Sequence, residues 1–252
     1  MTHPSVPRVV LNCDCGEGAA DDAAILPHVT AANIACGGHA GDEESMRAVL
    51  RLCKALDVDA GAHPSYPDRA HFGRRALPMS ADEVADFVRQ QVRRLDRIAC
   101  EEGVVLTHVK PHGALYNQAA ANRQIADAIA GAVLEHDPRL ALIGLAGSML
   151  IEAGEAAGLR VLREAFADRA YERDGSLRAR DLPDALIEDD LRCLAQARDI
   201  VLAGLVMSHD GRGVRLRADA ICIHSDTPGA AARAAYLRRG LAQAGVEFVG
   251  LR

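Results

Sequence analysis

The chain has 252 residues, 49% of them hydrophobic and 25% charged, which is ordinary for a globular protein able to bury a large core. A net charge of −6, with basic side chains scattered among acidic ones, argues against nucleic acid as the main partner, and no apolar run approaches the ~20 residues of a membrane helix. The seven cysteines are odd in number and lie mostly inside apolar patterns, and the N-terminal stretch has no charged and apolar signal-peptide regions, so a reduced, cytoplasmic protein is expected.

Short apolar runs alternate with longer helical patterns. The first run, RVVLNC (8–13), reads as a strand that leads into NCDCGEG. Side chains alternate along a strand, so Asn12 and Asp14 share one face while Leu11 and Cys13 share the other. Cys13 and Cys15 then read as thiols on the outer face, since no second Cys or His pair follows at zinc spacing. Asp21 and Asp22 read as a solvated helix start. AANIAC (31–36) is a second strand, followed by CGGHAGDE and a helix over 42–56. VDAGA (58–62) is a third, followed by GAHPSYPDRAHFGR. Ser80 stands three residues before Glu83, a capping-box spacing that opens a helix over 80–102.

VLTHVK (105–110) is the fourth strand and leads into KPHGALYN. Its parity puts His108, Lys110 and His112 on one face. Helices are predicted over 119–135, 148–157, 184–204 and 228–244, and strands over 140–146, 160–166, 219–224 and 246–251. The stretch 206–218 reads as a hairpin turning at Asp210-Gly211. No linker, low-complexity tract or internal repeat interrupts the chain, so one domain over 1–252 is expected. The βαβα rhythm predicts an α/β fold, a (β/α) barrel of seven or eight mostly parallel strands.

Polar and glycine-rich motifs follow the strands, whereas the loops at the opposite end, such as AGLR near 157–160, are short and plain. In parallel α/β folds ligands bind at the carboxyl ends of the strands. Five of the eight aromatic residues (Tyr66, Phe72, Tyr116, Phe166, Tyr171) fall in these segments, which suits a small-molecule pocket. Lys110 stands out because only two of the 29 basic residues are lysines. A compact ammonium can approach a reacting oxygen in a way that arginine cannot, and snorkelling at a strand end is the plain alternative. Asp14 has a helix N-cap as its plain alternative, and His39 and His63 have that of satisfied core histidines, but Glu17 and the glycines beside Asp14 and the two histidines ending neighbouring strands favour a site.

The ordered set LNCDCGEG, ANIACGGHAGDE, GAHPSYPDRAHFGRR, HVKPHGALYNQAA, GLAGS, EAFADRAY and ICIHSDTPGA resembles the LamB/YcsF family, that of the A component of 5-oxoprolinase. The resemblance spans residues 11 to 230 and implies a barrel resembling polysaccharide deacetylases. It also implies ATP-dependent opening of 5-oxo-L-proline to L-glutamate, with ATP as co-substrate and 5-oxoprolinase subunits B and C as partners. Two positions depart from the family: Ser225 replaces a usual glycine between His224 and Asp226, and Cys15 replaces an aliphatic residue.

No G-x-x-x-x-G-K-[ST] loop is present, so a nucleotide would bind some other way. The expected chemistry has Asp14 or Glu17 activate water while His39, His63 and His112 move protons. Lys110 stabilises an oxyanion or a phosphoryl group. Asn12, Asn33, Arg74, Asn117, Glu164, Arg169, His224 and Asp226 are the expected substrate- or phosphate-binding residues. One rival is a metal-dependent deacetylase or amidohydrolase holding a divalent metal on Asp14, His39 and His63. Another is a subunit that binds substrate while its partners do the chemistry. The sequence leaves a homo-oligomer open.

Overall fold

The computed structural model describes residues 6–18, 21–224 and 229–252. Its strands are β1 (Arg8–Cys15), β2 (Ala31–Ala35), β3 (Asp59–His63), β4 (Leu106–Val109), β5 (Ala141–Leu145), β6 (Val161–Phe166), β7 (Leu205–Met207), β8 (Gly213–Arg215), β9 (Ala220–Ile223) and β10 (Glu247–Phe248). Neighbours β1 to β6 pair in sequence order, β6 pairs with β9, and β9 pairs with β1, all in parallel. Those seven strands close a barrel. The eighth candidate, β10, is only a short parallel addition to the start of β1. The expected hairpin is the antiparallel pair β7–β8, which stands outside the barrel.

Helices α1 (Asp22–Ile25), α2 (Glu43–Leu56), α3 (Ala81–Glu102), α4 (Gly113–Ala121), α5 (Arg123–His136), α6 (Met149–Ala156), α7 (Asp190–Arg198) and α8 (Ala230–Gln243) accompany the strands. The longest, α3, begins as its sequence dictates. Ser80 and Glu83 cap each other's backbone N–H, and the helix ends at Gly103 in the left-handed region. Between these ends Val84, Val88, Val92, Leu95 and Ala99 are buried at helical spacing. They belong to the apolar layer between helices and barrel, with Leu11, Cys13 and Cys15 from the outer face of β1.

Three helical predictions are corrected. The single helix over 119–135 is two, because Asn122 is extended and turns its side chain to cap Gln124 and Ile125. The helix over 184–204 starts only at Asp190, capped by Asp189, and ends in a π-helical turn over Asp199–Ala203. Asp22 is half-buried rather than solvated, and its carboxylate accepts the Gly16 N–H. The helix expected over 228–244 runs over Ala230–Gln243 after Gly229, and position 228 lies outside the described residues.

The barrel interior is layered. Val10, Ala31, Ala141, Ile143, Leu162 and Ala220 form an apolar plug toward the N-terminal ends of the strands. Above it come buried polar side chains, Asn12, Asn33, His108 and Glu164, each on the inward parity of its strand. The His108 ring fits because β3 carries glycine opposite it. A Cβ on Gly61 would lie 2.3 Å from the imidazole. Gly61→Ala should therefore lower stability by about 1–3 kcal/mol through overpacking. Gly131→Ala, in open space on α5, should raise it by up to about 1 kcal/mol. Urea unfolding of both variants checks the contrast, and two equal effects would contradict the packing.

Candidate active site

Each functional side chain leaves the carboxyl end of a strand on a loop whose geometry is locally determined. After β1, Gly16 takes φ +73°, a conformation that suits glycine, and donates its N–H to Asp22 at 3.0 Å. This turn brings Glu17 back to the mouth of the barrel. After β2, Arg69 reaches across to the carbonyls of Gly37 and Gly41 and holds the loop that carries His39. After β3, Gln91 of α3 pairs with both backbone groups of Ser65. The His112 N–H then bonds the Pro64 carbonyl, which aligns the β4 loop beside it.

Lys110 is not a snorkelling side chain. It is 2% exposed, and its Nζ lies 3.0 Å from Asp14 Oδ1, 3.1 Å from Glu164 Oε1, 3.3 Å from Asn12 Oδ1 and 3.1 Å from Cys222 Sγ. Burial opposes the ammonium, but Asp14 and Glu164 outweigh it and hold its pKa well above the usual lysine value. Burial likewise opposes the Asp14 carboxylate, yet the positive charges beside it, that of His63 when its ring is protonated and that of Lys110, hold its pKa well below the usual range. The remaining acceptors are met from around the barrel. Asn33 donates to Asn12 and Asp14, Asn12 donates to Glu164, and Tyr116 donates its hydroxyl to Glu164 at 2.9 Å. Beneath them His108 Nε2 donates to Asn33 Oδ1, and burial pushes the pKa of this ring down to about 3.

A second cluster sits beside this floor. His63 donates Nδ1–H to the Lys110 carbonyl at 2.7 Å, and His112 donates Nε2–H to the Phe72 carbonyl at 3.0 Å. These bonds select the tautomers. His63 Nε2 and His112 Nδ1, 2.9 Å apart, therefore face each other as lone pairs. Glu17 Oε1 joins them at 3.8 and 3.4 Å and lies 2.8 Å from His39 Nε2, while His39 stacks on His112 at 3.7 Å. Burial first, then its neighbours, keeps the pKa of His39 down at about 2 and that of His112 well below normal.

Lone pairs facing one another at this distance call for a shared proton or a cation. Glu17, His39, His63 and His112 offer ligand atoms all within 4.8 Å of one another. The carbonyl partners of His63 and His112 are of the kind that orient metal-ligating imidazoles, and His39 Nδ1 is buried without a partner among the described residues. The donor set therefore fits a divalent ion. Of the expected set of Asp14, His39 and His63, the two histidines belong to this group with Glu17 and His112, while Asp14 borders it, its Oδ1 on Lys110 and its Oδ2 3.3 Å from His63 Nε2.

The opposite wall is built by β6, β9 and the segment after β6. His224 bonds Asp168 through Nδ1 at 2.9 Å and stacks on Phe166 at 5.3 Å. Arg169 is buried at 4% exposure. Between the walls lies a cavity of about 470 Å³. Asp14, Glu17, His63, Lys110, His112, His224, Arg74, Asn117 and Arg169 all line it, with Arg74 and Asn117 exposed at the rim. Asn12, Asn33 and Glu164 lie below as support, and His39 lies behind Glu17 and His112. Asp226 and Ser225 fall outside the described residues. Sequence reasoning missed Asp168, Cys222 and the rim segment Leu177–Asp181, which also line or support the cavity.

Fold and site together define a parallel barrel with acid–base groups gathered around a small-molecule cavity at the carboxyl ends of its strands. The chain belongs to the LamB/YcsF family, which it matches over residues 9–252. It is 59% identical to the A component of 5-oxoprolinase from Chloroflexus aggregans over 241 residues, covering 94% of this chain and 96% of that one. Among solved structures, the lactam utilization protein of Thermus thermophilus superposes with a TM-score of 0.90 at 43% identity, covering 96% of this chain and 98% of that one. The catalytic domain of a peptidoglycan N-acetylglucosamine deacetylase from Eubacterium rectale shares the fold, with a TM-score of 0.53 at 10% identity, covering 100% and 91%.

The buried imidazole of His108 makes a prediction about acid stability. An unfolded histidine titrates near 6.5, whereas folded His108 titrates at about 3. Between these values the unfolded chain binds the extra proton. The stability that the neutral ring contributes is complete above pH 6.5 and is lost as pH falls toward 3. Urea unfolding across pH 6 to 4 should show a slope steeper by about 1.4 kcal/mol per pH unit in the native protein than in His108→Gln. Equal slopes would contradict the assignment.

Proposed function

We propose that this chain is the A component of an ATP-dependent 5-oxoprolinase, which opens the lactam of 5-oxo-L-proline to L-glutamate together with subunits B and C. Supporting this are the names of its relatives, which concern oxoproline and lactams, and a cavity of a size that suits a five-membered ring. The observation that carries the reading is the Asp14–Lys110–Glu164 floor, a charged layer facing the small-molecule cavity.

A γ-lactam is an unstrained, resonance-stabilised amide. Transfer of the ATP γ-phosphoryl to its oxygen makes the ring carbon electrophilic. Water then adds there, the C–N bond breaks with a proton delivered to nitrogen, and a second water releases phosphate from the acyl phosphate. In this sequence the acceptor cluster of Glu17, His63 and His112 takes the water's proton, and His224, oriented by Asp168, faces the leaving nitrogen. Lys110 Nζ, with three N–H groups, lies within reach of four acceptors. The bond to Cys222, a weak acceptor, is the one that a developing oxyanion replaces.

A second reading has its own observation, the facing lone pairs of His63 and His112. A divalent metal held by Glu17, His39, His63 and His112 would polarise an amide oxygen and lower the pKa of a bound water. In a metal-dependent amidohydrolase the chain alone would hydrolyse amides, and chelation would stop it.

Lys110→Met should reduce ATP-coupled formation of glutamate by the complex with subunits B and C at least about 100-fold. It should also destabilise the chain by about 3–5 kcal/mol, because two buried carboxylates lose their cation. Turnover within a few-fold of normal would sink the role of Lys110. A native complex that leaves 5-oxo-L-proline intact in the presence of ATP would sink the function itself. Amide hydrolysis by the isolated, metal-loaded chain would favour the second reading.

A further inference from the structure

The 5-oxoprolinase reading leaves open how the substrate is told from other lactams, and the following inference rests on that reading. Arg169, just past the end of β6, is only 4% exposed, yet among the described residues its head hydrogen-bonds only to backbone. Nε donates to the Ala185 carbonyl at 3.4 Å and Nη2 to the Arg178 carbonyl at 2.6 Å. Among the described residues no carboxylate lies within 4.0 Å of it. Buried arginines ordinarily have a carboxylate partner, because the cost of desolvating an unpaired charge is large.

Burial, then Arg180, lowers the pKa of Arg169 to about 10, and Asp168, which is bonded to His224, offsets this only in part. The acidic groups on the floor do not compensate, since Asp14 and Glu164 are both engaged by Lys110. A guanidinium has five N–H donors, and two of these are used on carbonyls. Those left include both on Nη1 and one on Nη2, the fork that grips a carboxylate through two parallel bonds.

We infer that Arg169 is the specificity residue for the substrate's α-carboxylate. It binds the carboxylate of 5-oxo-L-proline while the lactam group lies over the Lys110 floor and the His63–His112 cluster. The protein then selects a lactam bearing an anionic substituent over a neutral one of the same ring size. The same fork could serve a phosphoryl oxygen of ATP, so the test separates the two anions.

In the complex with subunits B and C, KM is measured for 5-oxo-L-proline, for ATP, and for 2-pyrrolidinone, which is the same ring without the carboxylate. In Arg169→Gln the KM for 5-oxo-L-proline should rise about 30-fold or more, the loss of a charge-assisted hydrogen-bonded pair. KM for ATP should stay within about 3-fold, and the preference for 5-oxo-L-proline over 2-pyrrolidinone should collapse. Arg169→Lys keeps the charge without the fork. It should fold even where the Gln variant does not, and should raise the lactam KM about 10-fold with little change in kcat. A rise confined to the ATP KM assigns the residue to the nucleotide and overturns the proposal. Equal losses on both lactams also overturn it, as does an unchanged KM in Arg169→Lys. A native complex inactive on 5-oxo-L-proline removes the underlying functional reading and this assignment with it.

Discussion

The structure depends on one buried ammonium. Lys110 sits within hydrogen-bonding distance of Asp14 and Glu164 inside a barrel whose lower half is apolar. Without the cation, two carboxylates in a desolvated layer would repel one another and take up protons. With it, both stay ionised, and Asn12, Asn33 and Tyr116 complete their shells. An arginine would not fit this role. Its planar fork pairs with one carboxylate at a time, whereas a compact ammonium donates in three directions from one point. A chain that otherwise uses arginine almost throughout keeps a lysine here for that reason.

The charge held at the floor lets the rest of the mouth divide its labour. On one side, backbone carbonyls fix the tautomers of His63 and His112 so that bare nitrogens converge with Glu17. That side is electron-rich and ready to receive a proton or hold a cation. On the other side Asp168 orients His224, and arginines gather on the segment after β6. The cavity is therefore polarised across its width, with acceptors facing donors. Such an arrangement suits a substrate that must be held by an anionic group at one end and attacked by water at the other.

Much of this was legible in the sequence, for a definite reason. Asp14, His63, Lys110, His112 and His224 each lie at or just past a strand end, and alternation along the strand places them on the inner face. Gly61 is readable only afterwards, as the space that His108 occupies. Other features escaped for equally physical reasons. Asp14 and Glu17 are three residues apart, and only the turn at Gly16 decides which of them meets His39 and which meets Lys110. Cys222 reads as one more apolar-strand thiol. The rim residues Arg178 and Arg180 lie in an irregular segment with no periodicity to place them, and Asn122 looked helical until its side chain was seen to cap the next helix.

The central claim concerns a single ionisation, and the composition makes it directly measurable. Lys54 and Lys110 are the only lysines, so a chain labelled at lysine side-chain nitrogen or Cε gives two side-chain signals, one exposed and one buried. On titration by NMR, the buried signal is expected to remain that of an ammonium to a pH well above the ordinary lysine range. It is also expected to shift when 5-oxo-L-proline binds. A Lys110 signal that loses its proton at or below the ordinary value would mean that the ammonium is not held between Asp14 and Glu164, and the account built on it would fail.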